Sequence, residues 1–304
     1  MLERHLLKLS AEVTAALDEK RAVVALESTV IAHGLPRPQN FETAQRLEQV
    51  VRESGATPAT IAILKGKLCV GLNEDELQHL AGSDEILKVS RRDLPVAIAR
   101  GLDGATTVAT TMWIAREAGI RVFATGGIGG VHRGALPDVS ADLPELARTQ
   151  MLVVCSGAKI VLDLAATREW LETHGVTVIG YGCDELPAFY SRGSGLRVDA
   201  RADSADEAAQ IFIARHQLDL AGATLLTVPV PEDAEVPSQL LQKTLDEALH
   251  EAERKEIGGR ELTPFLLSHM AGRSGGATLR ANIALLANNA RVASEVAIAL
   301  SSST

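Results

Sequence analysis

Aromatic residues are few: two tryptophans, two tyrosines and five phenylalanines in a chain of 304 residues. Ala, Val, Leu and Ile must therefore fill the core, which suits buried parallel strands lying between helices. Cysteine is equally scarce. Cys69, Cys155 and Cys183 are widely spaced and form no C-x-x-C pair, which argues against a zinc site and for buried free thiols. Basic charge is short as well. The 30 Lys and Arg against 39 Asp and Glu leave a net charge of −9, so there is no general basic footprint for nucleic acid. A small anionic ligand is still admitted, because local fields dominate a cleft. No run reaches about 18 uninterrupted apolar residues, so no membrane span is expected. The N-terminal M-L-E-R-H-L-L-K-L-S is too charged for a secretory signal. These absences predict a protein of the reducing cytoplasm.

What is present is a globular composition, 46% hydrophobic, at a length near the limit for one core. Apolar runs at 22–26, 59–64, 67–72, 86–90, 120–124, 151–155, 176–180 and 223–230 read as strands. Helical patterns at 10–20, 40–54, 143–150, 160–174 and 204–218 alternate with them. Lys65-Gly66 predicts a hairpin between two strands. Ser10 is a candidate N-cap, and Asn73 with Glu76 resembles a capping box. Strand–helix alternation predicts an α/β/α layered sheet. Beyond Pro231 two long helical patterns, 238–257 and 278–301, follow with no strand between them. The chain thus reads as one domain, 1–304, whose helical tail of about 232–304 packs over an α/β core.

The chain is organised around the stretch 125–163. An apolar run feeds T-G-G-I-G-G-V-H-R from Thr125, and Asp138, Ser140 and Asp142 come next. A second apolar run ends in Ser156-Gly157-Ala158-Lys159. Ligands of open α/β sheets sit beyond the carboxyl ends of strands, and glycines there let backbone N–H groups approach an anion. Lys159 reads either as a lysine at a helix start or as an amine nucleophile, since burial favours the neutral amine that attacks a sugar aldehyde. Glu27, at the end of the first buried strand, is a capping acid or a general acid. Asp142 precedes Leu143-Pro144-Glu145 and could cap a helix. With Asp138 it could instead hold a hard cation. Lys88, followed by Arg91-Arg92, is a solvated basic turn or a phosphate contact. Thr106, Thr107, His132 and the glycine amides are candidates for the same pocket. His33 reads as a turn-stabilising histidine, with a base as the alternative. Asn282 and Asn289 share a helix face, and each amide offers a paired donor and acceptor.

The long motifs A-L-E-S-T-V-I-A-H-G-L-P from Ala25, G-A-T-P-A-T-I-A-I from Gly55, K-V-S-R-R-D-L from Lys88, the glycine stretch and N-I-A-L-L from Asn282 occur in one order. Together they resemble the pseudouridine-5'-phosphate glycosidase family across nearly the whole chain. The resemblance implies reversible cleavage of the carbon–carbon glycosidic bond of pseudouridine 5'-phosphate to uracil and ribose 5-phosphate. It puts the Schiff-base lysine on Lys159 and the proton donor on Glu27. A manganese ligand falls on Asp138, and substrate contacts fall on Lys88, Val108, Ser140, Ala141 and Asp142. Asp142 is added as a proton shuttle, and His132, Thr107 and Asn282 as further contacts. One manganese ion per subunit, a homotrimer and a separate sugar kinase acting upstream are also implied. A Schiff-base lyase or aldolase on another phosphorylated sugar, and a non-catalytic sugar-phosphate sensor, are the alternatives.

Overall fold

The computed structural model of the protein describes residues 3–134, 138–259 and 262–302, without the side chain of Arg4. The predicted strands appear as β2 (Val23–Leu26), β3 (Thr57–Leu64), β4 (Lys67–Val70), β5 (Leu87–Val89), β7 (Val122–Ala124), β8 (Leu152–Cys155), β9 (Thr177–Tyr181) and β11 (Thr224–Thr227). Three short strands carry too little apolar pattern to be read from sequence: β1 (Leu7–Leu9), β6 (Gly104–Thr106) and β10 (Ala200–Ala202). All join one sheet, in the order β1-β4-β3-β2-β7-β8-β11-β9-β10, with β6 pairing β3 and β5 pairing β6. The run from β3 through β2, β7, β8, β11 and β9 to β10 is parallel throughout. The exceptions are β4 and β6, each antiparallel to the far half of β3. The β3–β4 hairpin turns on Lys65 (φ 50°) and Gly66 (φ 71°), the pair of positive φ values that a tight two-residue turn requires.

All of β2, β7, β8 and β11 is buried, so helices must cover both faces. Three helices lie together over the central strands: α2 (Gln39–Glu53), α8 (Ala205–Gln217) and, between them, α11 (Ala277–Ser302). The helices α5 (Val108–Glu117) and α6 (Asp142–Leu146) pack against each other on the remaining side of β2. By length and composition α11 could cross a membrane, but 56% of its most apolar window is buried within the protein, as in the core helix of a globular fold. The tail adds α9 (Ser238–Arg254) and α10 (Leu262–Arg273), which pair with each other. Sequence periodicity had offered no helix at α10.

Local signals hold where a side chain can finish the job by itself. The Ser10 hydroxyl accepts from Val13 N at 3.2 Å and caps α1 (Ala11–Asp18). Asn73 and Glu76 close a full capping box on α3 (Glu74–Gly82). Two helix boundaries differ. The helix expected over 160–174 begins later, as α7 (Leu164–Thr173), because the Asp163 side chain caps it by accepting from Ala166 N at 2.9 Å. Lys159 is therefore a loop residue and not a helix-start lysine. Asp142 does not cap α6 either; it is the first residue of that helix, after Ala141.

Candidate active site

Chain order reverses between β2 and β7. From β2 the chain proceeds to β3 on one side, whereas β7 leads to β8 on the other. In a doubly wound sheet, the crevice at the carboxyl ends of two such strands is where a ligand fits. Glu27 follows β2, Thr125 and the glycine turn follow β7, and Ser156 to Lys159 follow β8. The three strand ends point the same way because the strands are parallel and adjacent. The glycine turn then runs alongside the lysine loop: Ile128 N donates to Gly157 O at 3.0 Å, and Lys159 N donates to Ile128 O at 3.1 Å. Glycine is needed at Gly157. Its φ is +81°, and a Cβ there would overlap the Pro187 carbonyl.

A cavity of about 370 Å³ occupies this crevice. Its lining brings together Lys159, Glu27, Asp142, Lys88, Val108, Ser140, Ala141, His132, Thr107, Asn282 and Asp138, all named as site candidates from the sequence. Glu27 is 7% exposed, and its two oxygens accept hydrogen bonds from the Thr29 and Thr125 hydroxyls. A hydroxyl can donate to a carboxylate or accept from a carboxylic acid, so both contacts can survive a change of protonation at Glu27. Asp142 is 6% exposed and joins two loops. One oxygen accepts from Ala109 N at 3.0 Å, in the first turn of α5, and the other from Gly129 N at 2.8 Å. A Cβ on Gly129 would overlap Ser140 and lie 2.8 Å from Asp142 Oδ2, so only glycine admits this clasp. Each carboxylate oxygen retains a further lone pair that can face the cavity.

The basic end is set by strand register. Lys88 on β5 pairs with Ala105 of β6, one residue short of Thr106 and two short of Thr107, the N-cap residue of α5. Lys88, Arg92, Thr107 and Val108 thus lie on one wall. Arg91 points elsewhere: it pairs with buried Glu145 at 2.7 Å, and its guanidinium lies 5.7 Å from the Trp113 ring centroid. His33 shares the cavity wall. Burial, then the charge of Lys88, pulls its imidazole below the ordinary value of 6.5 and keeps it neutral. The neighbouring Cys155 thiol is pushed up to about 12 by burial and is inert.

Two of the residues named from the sequence face away. Thr106 turns inward, donating to Ile61 O at 2.7 Å while its backbone N–H bonds to the Ser28 hydroxyl at 2.8 Å. Asn289 is wholly buried; it donates to Thr125 O at 2.8 Å and to the Ser156 hydroxyl at 3.1 Å, fastening α11 to the ends of β7 and β8. The glycine turn gives only part of its N–H set to the cavity, since those of Ile128 and Gly129 are already bonded. Sequence reasoning missed Phe189, Thr263, Leu267 and Leu286 in the lining. Thr263 and Leu267 come from α10, and Phe189 is held at φ 64°, which no local pattern announces for a phenylalanine.

An α/β sheet with a lysine and a buried carboxyl group converging at its switch point, beside a basic wall, defines a protein built to act on a small phosphorylated ligand. The family of indigoidine synthase A like proteins matches residues 12–299. A pseudouridine-5'-phosphate glycosidase of Caldanaerobacter subterraneus is 54% identical over 294 residues, covering 96% of each chain. One of Clostridium botulinum is 53% identical over 304 residues, covering 99% of each. A crystal structure of prealnumycin C-glycosynthase in complex with ribulose 5-phosphate superposes with a TM-score of 0.90 at 43% identity over 98% of both chains. An indigoidine synthase A-like protein of Thermotoga maritima gives 0.90 at 36% identity, over 99% of this chain and 98% of that one. The chain belongs to the indigoidine synthase A like family, among the pseudouridine-5'-phosphate glycosidases.

Proposed function

We propose that the protein reversibly cleaves the carbon–carbon glycosidic bond of pseudouridine 5'-phosphate, yielding uracil and ribose 5-phosphate. The observation that carries this reading is the convergence of Lys159 and Glu27, from two different strand ends, on one cavity whose far wall bears Lys88 and Arg92. Glycosidases of this name at 53–54% identity support it. A relative that holds ribulose 5-phosphate supports a phosphopentose in the cleft. Ribulose 5-phosphate cannot close a ring through its phosphorylated C5 oxygen, so that relative accepts an open-chain sugar.

Cleaving a carbon–carbon bond leaves a carbanion-like base, which a simple oxocarbenium route does not relieve. An imine does. The ribose ring opens, the Lys159 amine bonds to C1', and the electron pair of the breaking bond passes to the uracil carbon as Glu27 delivers a proton there. Water then attacks the imine, ribose 5-phosphate departs and the lysine amine is regenerated. Asp142 lies where it could carry protons to and from the sugar oxygens. Lys88, Arg92 and the start of α5 hold the phosphate. Asn282 reads the base through its amide. Ser140, Ala141, His132, Thr107 and Val108 shape the sugar wall.

Manganese belongs to the same proposal. Among the described residues no group of three or more His, Cys, Asp and Glu could hold a metal ion. Asp138 is an exposed carboxylate on the cavity rim, near the Ser140 hydroxyl. One carboxylate fits a hard divalent ion that keeps most of its waters, and Asp138 would hold it. The ion would offset phosphate charge or orient the sugar through its waters. A homotrimer, a cytoplasmic location and a separate kinase that phosphorylates the nucleoside beforehand complete the reading.

The test is uracil release from pseudouridine 5'-phosphate, followed by chromatography. Release of uracil in step with ribose 5-phosphate is expected. Borohydride trapping of ribose 5-phosphate on Lys159 without any uracil release would point instead to a Schiff-base lyase acting on another sugar.

A further inference from the structure

Behind the wall that carries Asn282 lies a second cavity of about 460 Å³. It shares His33, Gly34, Pro264, Leu267 and Asn282 with the first cavity and continues to Leu35, Tyr190, Ala271 and Leu279. Exposed Pro36, Ser268 and Gly272 open it to solvent. Two largely buried residues on its walls, Asn282 and Tyr190, carry polar side-chain groups with no hydrogen-bond partner among the described residues. Asn282 is 7% exposed and Tyr190 2%. The only influence on the Tyr190 phenol is burial, which keeps it a neutral donor. The polar atoms of both residues open onto the cavity, and His33 Nε2 on the same wall is fully buried with no partner among the described residues. Buried polar groups nearly always find one, so this wall points to a ligand. Asn289, a neighbour on the same helix, shows the ordinary case with its amide fully engaged.

The two cavities differ in chemistry. The first carries Lys88, Arg92 and Asp138, whereas no Asp, Glu, Lys or Arg among the described residues lines the second. Leu35, Pro264, Leu267, Ala271 and Leu279 make it mainly apolar, and its polar groups, those of His33, Tyr190, Ser268 and Asn282, are uncharged. A charged group would lose its hydration there without compensation, while a flat apolar group would not.

We infer that the second cavity extends the base side of the site and takes a neutral aromatic substituent carried by a uracil-type base. This rests on the proposed glycosidase reaction, in which Asn282 holds the base. N1 of uracil is separated from C5 by C6, so a substituent on N1 projects away from the sugar. The protein would then join ribose 5-phosphate to an N1-substituted uracil. The C1 oxygen leaves as water when the Lys159 imine forms, and C1 then bonds to C5 of the base with loss of the C5 proton. The sugar's O4 hydroxyl gives up its proton as it closes the ring on C1 and displaces the Lys159 amine. The two protons released balance the two carried off in the water. No oxidant or reductant is required.

The experiment supplies ribose 5-phosphate with either uracil or 1-benzyluracil and measures C-glycoside formation. Calorimetric binding of 1-benzyluracil in the presence of ribose 5-phosphate is measured alongside. Both bases are expected to react. Ala271→Trp, which fills the second cavity only, is expected to lower kcat/KM for 1-benzyluracil by more than about tenfold, the scale on which pocket shape discriminates, while uracil turnover stays unchanged. Leu279→Trp should behave alike, and retained uracil turnover reports an intact fold. Wild-type protein that turns over uracil but neither binds nor uses 1-benzyluracil overturns the inference. So does an equal loss for both bases in the tryptophan variants. Absent uracil turnover, with 1-benzyluracil binding that Ala271→Trp abolishes, would sink the proposed reaction and leave the cavity assignment standing.

Discussion

The Glu27 carboxyl group accepts a hydrogen bond from the Thr125 hydroxyl, although 98 residues separate them. The contact spans the switch point, joining the end of β2 to the first residue of the glycine turn. Together with the local Thr29 hydroxyl it holds the carboxyl group on the cavity wall. Glu27→Gln keeps the shape but removes the transferable proton. Its turnover is expected to fall about a hundredfold or more, the usual contribution of a general acid. Steady-state uracil release decides, and a loss below about tenfold would return Glu27 to a structural role.

Lys159→Ala should reduce turnover to background while the far-ultraviolet circular dichroism stays that of wild type, because Lys159 lies in a loop and supports no helix. Borohydride with ribose 5-phosphate should add the sugar's mass to wild type and not to the variant. Sugar adducts on the Ala variant, or normal turnover by it, would remove Lys159 as the nucleophile.

Both partners of the Asp142 carboxylate are N–H donors, at 3.0 Å and 2.8 Å. Asp142→Asn would set an amide NH2 against one of them. A lost buried hydrogen bond of this charged type costs about 1.5–3 kcal/mol. The variant is expected to lose stability by that order as well as activity, with chemical denaturation and turnover measured side by side. Unchanged stability would mean that the clasp between Gly129 and α5 is dispensable.

Asp138 is exposed and caps no helix, so Asp138→Ala should change stability by no more than about 0.5 kcal/mol. Its activity should fall and cease to respond to added manganese after chelation. Titrations of activity against manganese for both proteins, with melting temperatures, are the check. Superimposable metal curves would sink the assignment.

His33 provides a pH signature. Its imidazole is held below the ordinary 6.5 by burial and, second, by Lys88. The unfolded chain therefore binds the proton first as pH falls. The stability that neutral His33 contributes is complete above 6.5 and is lost as pH drops through the lower folded value. His33→Gln should flatten this part of the stability curve between neutral and mildly acid pH. Denaturant midpoints of both proteins across that range test it, and parallel curves would clear His33 of the effect.

Much of this molecule can be read from its residues one segment at a time. Apolar runs of four to eight residues bounded by turn formers gave the main strands, and Ser10, Asn73 and Glu76 cap the helices their spacing suggests. The residues at strand ends could be named for the same reason: a strand's end and the polar residues after it are local facts. The family motifs in one order carried those residues to roles that local chemistry left open. Tertiary structure decided what depends on neighbours distant in sequence. That β2 lies beside β7 follows from the whole sheet's order, and only this adjacency brings Glu27 to Thr125. Asp142 looks like a helix cap in sequence, but two backbone amides from other segments claim its oxygens. Thr106 and Thr107 are indistinguishable as letters, and strand pairing with β3 and β5 turns the first inward and leaves the second on the cavity. Asn282 and Asn289 share a helix face, yet strand ends claim the second amide while the first lines the cavity.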